Sequence, residues 1–188
     1  MFRAEFQSGD NFQISVSPTY ESLDKNFTIS RGVTLPNGST YNFTRYTAQA
    51  STATRRVASG TMRYANGTFY SGHRRDFILG LGLRPRAGVL LNINNEWSRV
   101  ELPEGDFSTS VLRLTADNQF GPWISVANNL QYDSVTRILG WQSRFRWIVR
   151  PGNTVYFVYI HNWIDDLVRG RSTLDRSAAA KVVYTHSF

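Results

Sequence analysis

Ile138-Leu139-Gly140-Trp141-Gln142-Ser143-Arg144-Phe145-Arg146-Trp147-Ile148 is the stretch that decides the fold of this 188-residue chain. Its odd positions hold Leu139, Trp141, Ser143, Phe145 and Trp147, and its even positions hold Gly140, Gln142, Arg144 and Arg146. Successive side chains of a strand point to opposite faces of a sheet, so the stretch predicts a strand with one apolar and one basic face. Arg150-Pro151-Gly152-Asn153 follows as a tight turn, and alternation then resumes over 154–163.

Working outward, the same period-2 pattern predicts strands near 2–7, 11–20, 41–50, 57–65, 76–84, 89–99, 108–117, 122–132, 138–148, 154–163 and 177–188. One face runs through residues such as Phe12, Ile14 and Val16, then Leu79, Leu81 and Leu83, then Leu91, Ile93 and Trp97. In the phase chosen for each strand it carries no Asp, Glu, Lys or Arg. The other face carries Arg3, Glu5, Arg45, Arg63, Arg84, Glu96, Arg113, Asp117, Arg144, Arg146 and Lys181 among Ser, Thr, Asn and Gln. Strand 154–163 is ambiguous, because Tyr156, Val158 and Ile160 make its second face apolar as well.

Composition agrees with strands and turns: aromatics reach 14% and charged residues only 19%. There is no cysteine, so disulfides and thiolate metal sites are excluded. The net charge of +7 is carried by arginine, since Lys25 and Lys181 are the only lysines. These arginines form no basic tail or helical stripe, and no nucleic-acid partner is expected. No apolar run is long enough for a transmembrane helix, which leaves a transmembrane barrel open because barrel strands are short and half apolar. Phe2-Arg3-Ala4-Glu5-Phe6 already alternates as a strand instead of opening a signal peptide, so an exported protein is expected to extend upstream of Met1.

Between the strands, short connections (8–10, 51–56, 85–88, 118–121, 149–153) alternate with a second set (21–40, 66–75, 100–107, 133–137, 164–176) that is longer except at 133–137. Outer-membrane barrels segregate tight periplasmic turns from extended extracellular loops in this way. Aromatics reinforce the reading. Tyr20, Tyr64, Trp97, Tyr132 and Trp163 fall near the loop-side ends of strands, and Trp123, Trp147, Tyr184 and Phe188 near the turn side. They match the two girdles at the membrane interfaces. The expected fold is therefore all-β, an antiparallel outer-membrane barrel domain over 1–188. Counting back from a periplasmic Phe188 through eleven strands places Met1 outside the cell. A closed bacterial barrel has an even strand number, and open edges are costly in lipid. The chain is accordingly expected to be the C-terminal portion of a larger barrel.

Val182, Tyr184 and Phe188 resemble the C-terminal signal read by the barrel-assembly machinery, with His186 departing from it. Across the chain, Gly67-Thr68-Phe69-Tyr70-Ser71-Gly72-His73-Arg74-Arg75, Leu102-Pro103-Glu104-Gly105-Asp106-Phe107, Gln131-Tyr132-Asp133, Arg146-Trp147-Ile148-Val149-Arg150-Pro151-Gly152-Asn153 and Leu174-Asp175-Arg176 carry a further resemblance. Together they are similar to an uncharacterised family of outer-membrane barrel domains found C-terminal to a carbohydrate-binding family 9-like module. The resemblance implies an outer-membrane location, a barrel fold and a sugar-binding-like module upstream; it brings no catalytic residues.

Candidate sites are few. His73, His161 and His186 are separated by the strand order, and no metal or cofactor site is expected. His161-Asn162 superficially matches the Ser-His-Asn arrangement of outer-membrane phospholipases, but adjacent strand residues face opposite ways. Glu101, Glu104, Asp106, Asp165 and Asp166 read as solvated loop charge, Gly80-Leu81-Gly82 as space within a strand, and the four Asn-x-Ser/Thr triplets as chance. The inward basic residues Arg45, Arg63, Arg84, Arg113, Arg144, Arg146 and Lys181, with Arg3, exceed the inward acids by five charges. Such residues favour anionic solutes or pair with acids on strands elsewhere. The expected function is a conduit or receptor and not an enzyme, for anionic or glycan-type solutes, the glycan part resting on the resemblance. Expected partners are outer-membrane lipid, lipopolysaccharide and the barrel-assembly machinery. A barrel-embedded hydrolase and a soluble β-sandwich or lipocalin-like binder are the alternatives.

Overall fold

The computed structural model describes residues 1–166 and 170–185. All regular structure in it is β. The strands are β1 (Phe2–Glu5), β2 (Asn11–Ser22), β3 (Phe27–Ser30), β4 (Val33–Leu35), β5 (Thr40–Ser51), β6 (Ala58–Phe69), β7 (Gly72–Arg86), β8 (Val89–Leu102), β9 (Gly105–Gln119), β10 (Ile124–Asp133), β11 (Ile138–Arg150), β12 (Asn153–Asp166) and β13 (Gly170–Val183). Eleven of them form one antiparallel sheet in the order β1-β2-β5-β6-β7-β8-β9-β10-β11-β12-β13, and β3 and β4 pair separately. The sheet is open, ending on β1 and β13, and does not close into a barrel.

Each predicted strand lies on one of these eleven, but the expected alternation of connection lengths does not survive as loops. The connection 66–75 shrinks to Tyr70-Ser71 and 100–107 to Pro103-Glu104, because β6 to β9 continue pairing past their apolar stretches. Within 164–176, β13 already begins at Gly170. The long connection 21–40 holds the β3–β4 hairpin. Polar residues satisfy a ladder's backbone groups as well as apolar ones do. Alternation in hydrophobicity therefore stops before the strand does.

The chain packs as two units, one of Met1–Thr54, Ser59–Gly80 and Asn95–Ser110, the other of Arg55–Ala58, Leu81–Asn94 and the residues from Val111 onward. In the second unit, register joins apolar positions in rows. Leu130 pairs with both Leu114 and Trp141, Phe145 with Val126 and Phe157, and Trp147 with Ile124 and Val155. In the first unit, Ile14 pairs with Phe2 and Ala48, and Ala50 with Phe12 and Met62. These faces are uncovered: Leu81 and Leu83 are each 48% exposed, Val16 51% and Met62 50%. Cross-strand register also settles the ambiguous strand, since Tyr156 and Val158 pair with Arg146 and Arg144 and so lie on the basic face.

The buried hydrophobic cluster belongs to the first unit and lies beneath the β3–β4 hairpin. Leu23, Val33 and Leu35 from the long connection meet Val100 and Leu102 of β8, with Tyr41, Phe69, Tyr70 and Phe107 packed around them. Phe43, Phe69 and Tyr70 stack edge-on or tilted with centroids 4.7–5.6 Å apart. Tyr70 holds a left-handed backbone (φ 47°) at the β6–β7 turn, which costs a non-glycine residue roughly 1–2 kcal/mol. Its ring packing and a 2.9 Å hydrogen bond from its hydroxyl to Glu21 oppose that cost. Glycines on both sides of this turn are required sterically. A Cβ at Gly67 would meet the Thr44 carbonyl oxygen at 2.1 Å, and one at Gly72 the Glu101 carbonyl oxygen at 2.0 Å.

Two outcomes follow. Leu35, with no exposed surface, should on substitution by Ala lower the unfolding free energy by about 2–4 kcal/mol in urea titration; an effect under about 0.5 kcal/mol would mean the hairpin core does not support the fold. The Tyr70 phenol is pushed up to about 12, first by burial and then by donation to Glu21, whose charge opposes the phenolate. Folding thus favours protonated Tyr70. That stabilisation is full below the ordinary phenol value of about 10 and is lost as pH rises towards 12. Tyr70→Phe should remove one late-titrating group from the tyrosinate absorbance curve, and Glu21→Gln should shift that group downward.

Candidate functional site

Of the basic residues expected to face inward, Arg84, Arg144 and Arg146 come together in the second unit. With Asp117, Tyr156 and Val158 they line a cavity of about 980 Å³. Register explains the gathering. Gln119, Ser125, Arg146, Tyr156 and Lys181 form one row across five strands, and Asp117, Ala127, Arg144, Val158 and Ala179 form the next. Arg55 and Arg86 also line the cavity, and neither was read as inward from the sequence. Arg86 was legible in principle, being two residues beyond Arg84 on the same face, but Pro85 between them reads as a strand breaker.

Arg84, Arg86, Arg144 and Arg146 make no ion pair among the described residues, and the Arg146 Nε is buried without a hydrogen-bond partner. Asp117, the cavity's carboxylate, also forms no ion pair among them. Arg84, Arg86 and Arg144 are exposed and Arg146 is half-buried, so the cavity presents a positive, solvent-accessible lining.

The remaining basic residues do other things. Arg45 is claimed by Asp76 in the first unit, where their side chains are only 14% and 17% exposed. Arg74 Nε donates to the second oxygen of Asp76 at 2.8 Å, and the Ser98 hydroxyl bonds the same carboxylate. Asp76 is absent from the inward acids expected from the sequence, although it opens the predicted strand 76–84 in the inward phase; it removes Arg45 from the inward excess. Arg113 donates from Nε and Nη2 to Gln131 Oε1 at 3.0 and 2.8 Å. Arg63 sits opposite Gln49 in register, and Arg3 pairs with Glu5 at 2.5 Å.

On the apolar face, Tyr132 and Trp163 share a row through Leu139, while Trp147 shares one with Ile124 and Val155. Those rows are eight residues apart on β11, roughly 27 Å along a strand. Tyr20, Tyr64, Trp97 and Trp147 are exposed, at 67%, 42%, 37% and 43%. Val182 pairs with Val155, and Tyr184 follows β13 with the Arg150 guanidinium 6.0 Å from its ring centre. Phe188 and His186 lie outside the described residues. Inside the aromatic ends of the strands one charge lies in the apolar phase: Arg176 pairs with His161, a row inside Trp163, because a bulge between Asn162 and Trp163 shifts the register; beyond those ends Arg75, Arg99, Glu101, Asp165 and Arg171 continue the phase.

His161 stacks on Trp163 at 3.9 Å and shares hydrogen bonds with the Tyr159 and Thr173 hydroxyls. Asn162 instead donates to Asp175 at 2.8 Å, on the other face. The two therefore do not converge on one substrate. No group of three His, Asp or Glu side chains that could hold a metal ion occurs among the described residues. No family model, curated protein or solved structure matches the chain.

The Asp76 centre yields a measurable outcome. Asp76→Asn leaves two guanidinium groups facing each other, one of them part-buried with an unpartnered Nη1. It should lower stability by about 2 kcal/mol, whereas Arg84→Gln should change the urea midpoint little. Equal effects would show that the pair is not a structural one.

Proposed function

We propose that this chain forms the wall of an outer-membrane β-barrel that acts as a conduit or receptor for anionic solutes. The observation that carries the reading is the uncovered apolar face, joined in register from β1 to β6 and from β9 to β13 and, inside the aromatic ends of the strands, free of charge except at Arg176. In water such a surface is a liability, since soluble monomers rarely expose contiguous apolar patches beyond about a few hundred Å². In a bilayer it is what lipid requires.

The aromatic rows give the surface a height. Roughly 27 Å along the strand, at a tilt of about 40°, subtends roughly 20 Å, close to the apolar band of about 25 Å in such barrels. Arg176, near the upper row, can carry its guanidinium outward along its aliphatic stem. The reading also requires the edges at β1 and β13 to be sealed by further strands, because open backbone groups cost several kcal/mol each in hydrocarbon.

The anionic part of the proposal rests on Arg84, Arg86, Arg144 and Arg146, which make no ion pair among the described residues; a glycan-type ligand rests on the resemblance of the loop motifs. Lipopolysaccharide and the assembly machinery enter as partners only with the membrane reading. The mid-strand position of Leu81 tests that reading directly. Leu81→Arg should cost about 2–4 kcal/mol of stability in lipid or detergent and reduce recovery from the outer-membrane fraction, where the parent chain should migrate in a heat-modifiable form. If the parent chain stays soluble without detergent and Leu81→Arg is neutral, the membrane reading fails. Single-channel recording across anion and cation gradients then separates conduit from receptor.

A further inference from the structure

Arg84, Arg86, Arg144 and Arg146 of the second unit line one cavity and make no ion pair among the described residues. We infer that this cavity binds oligoanions, solutes carrying two or more phosphate, sulfate or carboxylate groups. The inference deepens the conduit-or-receptor reading by naming the solute class, and it rests on that reading for its setting.

Spacing is the first support. Arg144 and Arg146 are alternate residues of β11 and project from the same face roughly 7 Å apart. Arg84 and Arg86 repeat that spacing on β7. In register, Lys181 lies two strands from Arg146 with Tyr156 between them, roughly 10 Å away. A single oxyanion reaches one or two of these groups. A chain of linked oxyanions reaches several, taking forked hydrogen bonds from each guanidinium.

Unmet valence is the second. The Arg146 Nε is already removed from solvent and has no acceptor among the described residues, an unfavourable state for a buried donor. An oxyanion in the cavity would supply the acceptor. Tyr156 and Ser125, flanking Arg146 in its row, add hydroxyl donors that suit the same oxygens. Asp117 lies two strands from Arg144 through Ala127, where it repels an anion from that side and favours seating towards β11 and β12.

The test uses the full chain purified in detergent micelles, with tripolyphosphate and inorganic monophosphate as probes in isothermal titration. Tripolyphosphate should bind more tightly than monophosphate, with affinity falling as salt is raised. The double variant Arg144→Gln, Arg146→Gln should weaken tripolyphosphate binding at least about tenfold. Arg63→Gln, on the same face in the first unit, should leave it unchanged, and circular dichroism should show both variants folded. Absence of binding, or an equal loss in Arg63→Gln, overturns the inference, the second outcome meaning diffuse attraction and no site. Binding by a protein that fractionates as soluble overturns the membrane reading and upholds the site. An outer-membrane protein that ignores tripolyphosphate overturns the site alone.

Discussion

Everything in this chain depends on register between antiparallel strands. Side chains alternate with a period of two, so a slip of one residue exchanges the faces of a whole strand. Sliding β11 by one against β10 would put Arg144 and Arg146 beside Val126 and Ile124 and move Phe145 into the arginine cavity. On a lipid-facing surface each misplaced arginine would cost about 2–4 kcal/mol. The irregularities of β11 and β12 accordingly sit near strand ends, between Ile148 and Arg150 and between Asn162 and Trp163, where a phase change displaces few side chains. The same alignment that keeps the apolar rows whole also assembles the basic cavity, so a slip of register disrupts both.

The first unit solves a different problem. Its polar-phase positions near the β6–β7 turn are not polar: Tyr41, Phe43, Phe69 and Phe107 point to the face that carries Arg45 and Asp76 lower down. They are covered by the β3–β4 hairpin, whose Val33 and Leu35 are nearly or fully buried. This is an ordinary hydrophobic core, and it accounts for aromatic residues that would be misplaced on an exposed inner face. Below it, Asp76 gathers Arg45, Arg74 and Ser98. Packing closes the upper part of this inner face, and below it Asp76 neutralises Arg45.

The strand plan was legible in the sequence wherever hydrophobic alternation ran for four or more residues, as at 138–148. It was not legible where strands continued in polar residues. Ser172, Thr173 and Asp175 pair with β12, yet nothing in their hydropathy distinguishes them from loop. The hairpin strands Phe27–Ser30 and Val33–Leu35 are too short to show a period, and their apolar residues gain meaning only from Val100 and Leu102, far along the chain. Alternation assigns each arginine a phase within its strand but says nothing of its company. That Arg45 meets Asp76 while Arg146 meets no acid depends on pairing between strands, which no single strand's pattern contains.

The contrast between those two arginines bears most on function. Both are partly buried and both keep one nitrogen without a partner, so desolvation penalises both. For Arg45 the penalty is offset by a carboxylate that also holds Arg74, and the arrangement is complete as a structural element. For Arg146 no described group offsets it, and its neighbours Arg144 and Arg84 raise the positive potential further. Stability alone would favour Gln or Thr at such positions, as the same face has at Gln142 and Thr115. A cluster of this kind is consistent with a counter-charge supplied from outside the described residues, either by a solute or by acids on adjoining strands. The two differ in physical kind. Adjoining acids would leave the cavity neutral and indifferent to salt, whereas a site for exchangeable anions has to stay accessible and its occupancy has to fall as ionic strength rises.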